Sequence, residues 1–244
     1  MPKGRIKTYV LAFVAVERLI HRGGFPATLQ YVKSGNFSRS FQFSRKDFKA
    51  EFETYLSSLT SPNKSDGPVI QKPDWKVGDQ WTYAVKHPGD EPSATKQIVR
   101  EDTFEGKASY VMRAEGRELL YSKQTLERLA AIKEGKVSIK RYNPSHDFYW
   151  PLTPGKQWKN VYAWEDLLTN DKHNTNFSMV VSEIERVTVP AGTFLAARID
   201  SYDSQTGHLM WESWYSPTTK WFVKFRDYSD IAFKEEELTS FKIN

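Results

Sequence analysis

The side chains that most often carry out catalysis are few and scattered in this sequence. The five histidines are far apart, and the His-Glu-x-x-His pattern of zinc peptidases does not occur. The absence of cysteine excludes thiol catalysis, cysteine metal ligands and disulfides. There is no Gly-x-Ser-x-Gly elbow, phosphate loop or dinucleotide fingerprint. We therefore predict a non-catalytic protein that needs no metal or other cofactor.

Carboxylates in or near β-like runs are the remaining candidates for acid–base chemistry. They are Glu165, Asp166, Glu183, Glu185 and Glu212. Such residues usually face solvent on alternating strands, so we do not expect a glycosidase-type pair. The run from Glu235 to Glu237 is interpreted as a solvated sheet edge that discourages aggregation between sheets.

Large aromatic rings have the clearest functional potential, and all eight tryptophans lie beyond residue 70. We predict that six rings contact a ligand, each providing apolar area and an indole N–H or phenol O–H for a polar head group. They are Trp150, Trp164, Trp211, Trp214, Tyr149 and Tyr162. The competing interpretation is that these rings form core and cross-strand pairs. In a regular strand Trp211 and Trp214 point to opposite faces, so either both faces are covered or one presents a ring to a ligand.

Antiparallel strands must position these rings. After residue 73 the apolar residues repeat with a period of two, and turn signals separate the short β-like runs. The signals are Glu134-Gly135, Pro190-Ala191-Gly192 and the loop at 203–207. Hairpins joined in sequence imply an antiparallel sheet rather than a βαβ fold.

The first sixty residues have a helical pattern instead. Residues 5–22 are apolar on most faces, and basic residues before the apolar run also fit a signal peptide. Because the run stops at Glu17 and no cleavage site follows, we favour a buried amphipathic helix, which is too short to cross a membrane. Further along, Ser44 precedes Asp47 by three residues, which predicts a capped helix start.

Charge and composition divide the chain. Residues 1–66 contain 11 Lys/Arg and 5 Asp/Glu, whereas the remainder contains 24 and 25. The β region is therefore almost neutral and attracts phosphate weakly at long range, so no nucleic-acid partner is expected. Residues 61–72 are rich in proline and polar turn formers, which predicts a linker between a helical segment at 1–60 and a β domain at 73–244.

Residues 9–59 resemble a known helical element, especially through Ala15–Ile20 and Phe43–Leu56. They look like the tail that ends the catalytic domain of gluzincin metallopeptidases of the peptidase MA-like group. The zinc and base residues of that family would lie upstream of this segment, so no catalytic residue carries over. The resemblance leaves open that the chain is a C-terminal fragment of such a peptidase.

Residues 73–244 resemble an uncharacterised family of bacterial exported β domains. The matching pieces are Val77–Tyr83, Phe148–Leu152 with Gly155 and Trp158, Val189–Phe194 and Trp214–Pro217. These domains are similar to half-barrel lipoprotein carriers, in which a curved antiparallel sheet shelters an acyl chain. The resemblance implies a location outside the cytoplasm, in the periplasm or at the cell surface.

The predicted fold is therefore α+β, with a short helical segment followed by a strongly curved antiparallel sheet, either a half-barrel or an open barrel. The predicted function is non-catalytic binding of a hydrophobic or amphipathic, lipid-like molecule. A carbohydrate or cell-wall binding module, a metallopeptidase fragment and a scaffold role stay open as alternatives. The carrier hypothesis requires free space on the inner side of the sheet.

Overall fold

The structure is a computed structural model of the 244-residue chain. It describes residues 15–16, 18–20, 22, 24–60, 68–142, 147–229 and 233–244, and for residues 54–60 it describes the backbone alone. The chain divides into two compact units, Met1–Lys64 and Ser65–Asn244. Much of the predicted linker and residues 5–14 of the predicted first helix lie outside the described residues, so both stay predictions.

The first unit is helical where it is described. Its helices with defined bounds are α1 (Phe25–Ser34), α2 (Phe37–Ser40) and α3 (Arg45–Thr60). Helix α1 ends at Gly35, whose φ of 66° is left-handed and suits glycine. The hydroxyl of Ser44 accepts a hydrogen bond from the backbone N–H of Asp47 at 3.1 Å, which confirms the predicted capped start. A small core holds the unit: Leu19, Phe37, Phe41 and Phe48.

The described part of the second unit contains twelve antiparallel strands. They are β1 (Gln80–Lys86), β2 (Ser93–Phe104), β3 (Lys107–Ala114), β4 (Arg117–Ser122), β5 (Arg128–Lys133), β6 (Lys136–Arg141), β7 (Gln157–Asp166), β8 (Asp171–Val189), β9 (Gly192–Asp203), β10 (Leu209–Ser216), β11 (Trp221–Asp227) and β12 (Lys234–Lys242). Every strand pairs with its neighbours in sequence, and β1 pairs with β12, which closes the sheet into a barrel. The three predicted turns each connect two consecutive strands and are confirmed.

The predicted half-barrel or open barrel is wrong, and so is the α+β class, because the protein is mostly β and its barrel is closed. The closing seam places Trp81 opposite Phe241, 160 positions later in the sequence. Local periodicity identifies strands and tight turns but carries no signal for a pairing between the two ends of a sheet. Closure gives the backbone groups of both end strands hydrogen-bond partners and leaves no free edge among the twelve described strands.

The alternation of strand direction gives the barrel two distinct ends. Turns that follow odd-numbered strands, such as 115–116 and 134–135, lie at what we call the odd-loop end. Turns that follow even-numbered strands, such as 190–191 and 217–220, lie at the even-loop end.

The even-loop end is packed with the protein's own side chains. Ile70 pairs with Leu152 through an isolated bridge, and both side chains are buried in the core. The ring of Trp75 is 5.0 Å from that of Trp221 and 6.1 Å from that of Trp81. The Nε1 of Trp75 donates to the carbonyl of Lys220 at 2.9 Å, so its polar atom is satisfied inside the core. The free inner space required by the carrier hypothesis is therefore missing from this end.

Candidate functional site

Residues that project into the barrel can be identified from strand register. Residues directly opposite each other in antiparallel strands project to the same side of the sheet. Met112 lies opposite Leu119, and Tyr121 lies opposite Arg128. Because Met112 and Tyr121 belong to the barrel core, Leu119 and Arg128 also project inward. A cation from β5 is thereby placed beside apolar core side chains.

A cavity of about 190 Å³ lies among these strands, and it reaches the odd-loop turn between β3 and β4. Its apolar wall consists of Met112, Ala114, Leu119, Tyr121 and Trp221. The volume corresponds to about six water molecules at roughly 30 Å³ each. It is below the roughly 300–1,000 Å³ of typical drug-sized sites, so the cavity suits a small molecule or the end of a longer one.

Two of the three cations in the cavity wall have carboxylate partners. The Nζ of Lys96 lies 2.8 Å from a carboxylate oxygen of Glu236. At the rim, a guanidinium nitrogen of Arg117 lies 3.3 Å from a carboxylate oxygen of Glu115. These pairs leave the wall close to neutral at both positions.

Arg128 is the third cation, and it lacks such a partner. Within the described parts of the chain, no carboxylate lies within ion-pair distance of its guanidinium and no group hydrogen-bonds to it. Burial lowers the pKa of Arg128, and the positive charge of nearby Arg141 lowers it further. Arginine nevertheless stays protonated near neutral pH. The carboxylate of Asp147, whose charge acts on Arg128, already pairs with Arg141 at 3.3 Å.

Of the six predicted ligand-contacting rings, Trp150 and Trp214 pack against protein groups and Tyr149 is largely exposed, and none of the three lines this cavity. Trp150 stacks on Phe148 with ring centroids 4.9 Å apart. Trp214 is 4% exposed, and its Nε1 donates to a carboxylate oxygen of Glu185 at 2.9 Å. Tyr149 is 51% exposed.

The other three rings each meet a different neighbour. Trp164 stacks on His173 with centroids 4.0 Å apart, and the guanidinium of Arg141 lies 4.2 Å from the ring of Tyr162. Trp211 meets Phe177 edge-on at 4.4 Å. The six rings are therefore distributed over several packing environments, and their predicted ligand contacts stay predictions.

Trp211 and Trp214 lie on opposite faces of β10. Trp211 is opposite Ser201, which in turn is opposite the core residue Met179, so its ring is on the core side. Trp214 is opposite Arg198 on the other face. Both rings are largely covered, so the core interpretation of the sequence accounts for them without a ligand.

Sequence reasoning missed the residues that line the cavity. The sequence pattern did not single out Tyr121, Trp221 or Arg128 as ligand-contacting residues. The only available signal was register: Arg128 is paired with Tyr121 across a short β4–β5 connection. The β4–β5 pairing contains an irregularity next to Tyr121, which interrupts the regular alternation of inward and outward side chains. A period-two pattern in the sequence therefore does not indicate that Arg128 projects inward.

Several carboxylates expected to face solvent are instead buried in ion pairs. Glu212 is 4% exposed, and its carboxylate lies 3.7 Å from a guanidinium nitrogen of Arg226. The solvated-edge interpretation of Glu235 to Glu237 is wrong, because β12 has partners on both sides and Glu235 is 7% exposed. Glu235 pairs with Arg226 at 2.7 Å and Lys86 at 2.9 Å. The carboxylates that we expected to face solvent instead contact cations on the adjacent strands.

Two buried acids, Glu235 and Asp200, have pKa values that are shifted in opposite directions. Burial disfavours ionisation of Glu235, but hydrogen bonds from Arg226 and Lys86 prevail and lower its pKa to about 2. Burial raises the pKa of Asp200 to about 6, although Arg198 lies 3.1 Å away. The cations beside Glu235 come from the neighbouring strands β1 and β11, whereas the cation beside Asp200 lies on the same strand, β9. Among the described residues no cluster of His, Asp or Glu could hold a metal ion.

Comparisons with known proteins give remote structural likenesses. No family model and no curated protein matches the chain. A proposed lipoprotein from Parabacteroides distasonis is 12% identical with a TM-score of 0.35, covering 72% of this chain and 100% of that one. A proposed exported protein with a YmcC-like fold from Bacteroides fragilis is 11% identical with a TM-score of 0.37, covering 72% and 100%. The hypothetical lipoprotein YmcC from Escherichia coli is 12% identical with a TM-score of 0.40, covering 79% and 96%.

These likenesses carry no argument about a ligand. The predicted resemblance of residues 9–59 to a peptidase tail finds no support among them. Among the helices that the structure describes, none has the length and apolar content needed to cross a bilayer.

Proposed function

We propose that the β unit is a non-catalytic binding module for a small hydrophobic or amphipathic molecule, which enters the cavity near the odd-loop end. The observation that carries this proposal is a cavity of about 190 Å³ walled by Met112, Leu119, Tyr121 and Trp221. Apolar surface removed from water contributes roughly 25 cal/mol per Å², so a short aliphatic or aromatic group gains free energy by entering.

The cavity volume limits the size of that molecule. At about 190 Å³ the cavity admits a head group with a few carbon atoms, whereas the rest of a long acyl chain would extend beyond it. We therefore narrow the lipid-like ligand of the sequence prediction to a short-chain amphiphile, or to the polar end of a longer one.

Titration of the purified full chain with octan-1-ol and octanoate tests the proposal. We expect saturable binding by calorimetry, together with a change in tryptophan fluorescence because Trp221 lines the cavity. Ala114→Leu should fill the cavity and abolish binding, whereas Ala108→Leu, an exposed change on the same strand, should not. Absence of binding for both probes at several millimolar would contradict the proposal.

The alternatives receive less support. A carbohydrate platform needs exposed coplanar rings, whereas Trp150 and Trp214 are packed against protein groups. The extracytoplasmic location and the peptidase-fragment hypothesis stay predictions from the sequence resemblances alone.

A further inference from the structure

Arg128 is an uncompensated cation in a wall that is otherwise apolar or paired. Lys96 and Arg117 each have a carboxylate within 3.3 Å, whereas Arg128 has none among the described residues. Asp147 is not a spare partner, because its carboxylate also accepts a hydrogen bond from the Asn160 amide at 3.0 Å. Even a partly buried charge without a partner has a desolvation cost, which the counter-charge of a bound group would offset.

The position of Arg128 joins this charge to the apolar wall. Arg128, Met112 and Leu119 line the same cavity, so one bound molecule can contact all three. The side chain of Trp221, also in the wall, is 5% exposed, and its Nε1 has no hydrogen-bond partner. A guanidinium offers up to five N–H donors in a planar fork that matches a carboxylate or a phosphate.

We propose that Arg128 anchors the anionic group, a carboxylate or a phosphate, of an acidic amphiphile whose apolar part lies against Met112 and Leu119. This inference rests on the proposed function and specifies its ligand class. It also explains why a cation is retained at a site where a neutral side chain would be cheaper to bury.

Three probes with eight carbon atoms each separate the head-group contribution from apolar contact: octanoate, octyl phosphate and octan-1-ol. Calorimetric titration of the full chain should give at least tenfold tighter binding for one of the acids than for the alcohol. Whichever acid binds more tightly indicates the preferred head group, since both acids contain eight carbon atoms. A charge-assisted bidentate interaction accounts for a preference of this size.

Arg128→Gln should weaken binding of that acid about 10- to 100-fold and leave octan-1-ol within about twofold. The matched control is Lys159→Gln, which removes one positive charge from an exposed position on β7 and should change neither affinity. Arg128→Lys keeps the positive charge but loses the planar set of guanidinium donors, so it should weaken binding of the acid by an intermediate factor. Circular dichroism of each variant verifies that the barrel is folded.

The results distinguish a failure of the anionic anchor at Arg128 from a failure of the proposed binding function. If acids and alcohol bind equally well, or if Arg128→Gln behaves like Lys159→Gln, the anionic anchor is overturned and the apolar binding site remains. If none of the three probes binds, both the anionic anchor and the proposed function are contradicted.

Discussion

Replacing Arg128 with methionine should make the β unit more stable. Methionine keeps an unbranched apolar side chain of similar length, so most contacts of the arginine stem are preserved. What disappears is a positive charge that has no ion-pair partner among the described residues and that lies near a second cation, Arg141. Removing the charge removes its desolvation cost and this repulsion.

The magnitude follows from the position of Arg128. A fully buried, unpaired ion costs several kcal/mol. Arg128 is half-buried and borders a cavity large enough for water, so we expect a gain of about 1–2 kcal/mol in the free energy of unfolding. The unit spans about 180 residues, and an unfolding entropy of roughly 2.1 cal/mol/K per residue converts this gain into about 3–5 °C.

Thermal unfolding followed by circular dichroism measures this shift, with Lys159→Met as the control for loss of an exposed charge. Octanoate at ten times its dissociation constant should stabilise the wild-type protein by about 1.4 kcal/mol and stabilise Arg128→Met much less. A lower midpoint in Arg128→Met than in Lys159→Met would show that Arg128 supports the fold, and the reasoning about an uncompensated charge would fail.

Three further predictions concern the barrel itself. Glu235 ionises more readily in the folded protein, so its contribution to the free energy of unfolding is present above about pH 4.5 and is lost toward pH 2. Urea titrations of Glu235→Gln across this pH range should show a pH dependence of stability that is smaller by about 1–2 kcal/mol, a figure reduced for partial solvent screening. Asp200 has a raised pKa in the folded protein, so the wild type should lose stability as pH rises from about 4 to 6. Asp200→Asn should not show this loss when guanidinium titrations at the two pH values are compared. Trp75→Ala should cost about 3–5 kcal/mol by the same titration at pH 7, because its ring is 1% exposed in the core.

Local features of the fold could be predicted from the sequence because their causes are local. Glu134-Gly135 forms a tight turn in which both residues have positive φ, 52° and 75°, a conformation that glycine adopts readily. Pro190 to Gly192 connects β8 to β9 as the turn chemistry indicates. The Ser44 cap likewise depends on residues three apart in sequence.

The features that decide function depend on distant pairings and could not be predicted in this way. Whether Glu235 faces water or Arg226 depends on the order of strands around the barrel. The inward position of Arg128 depends on its pairing with Tyr121 at an irregular step of the β4–β5 ladder. A charged residue in a strand has the same local pattern in either environment, so only the assembled sheet distinguishes them.

The seam between β1 and β12 also sets the order in which the barrel can be completed. Trp81 and its partner Phe241 are 160 positions apart, so β12 must be synthesised before β1 has both its neighbours. On the ribosome, a nascent chain whose β12 is still inside the exit tunnel exposes the edges of β1 and β11 together. Until β12 emerges, the nascent sheet offers two templates for pairing with other chains, and the pairing of β12 removes both at once.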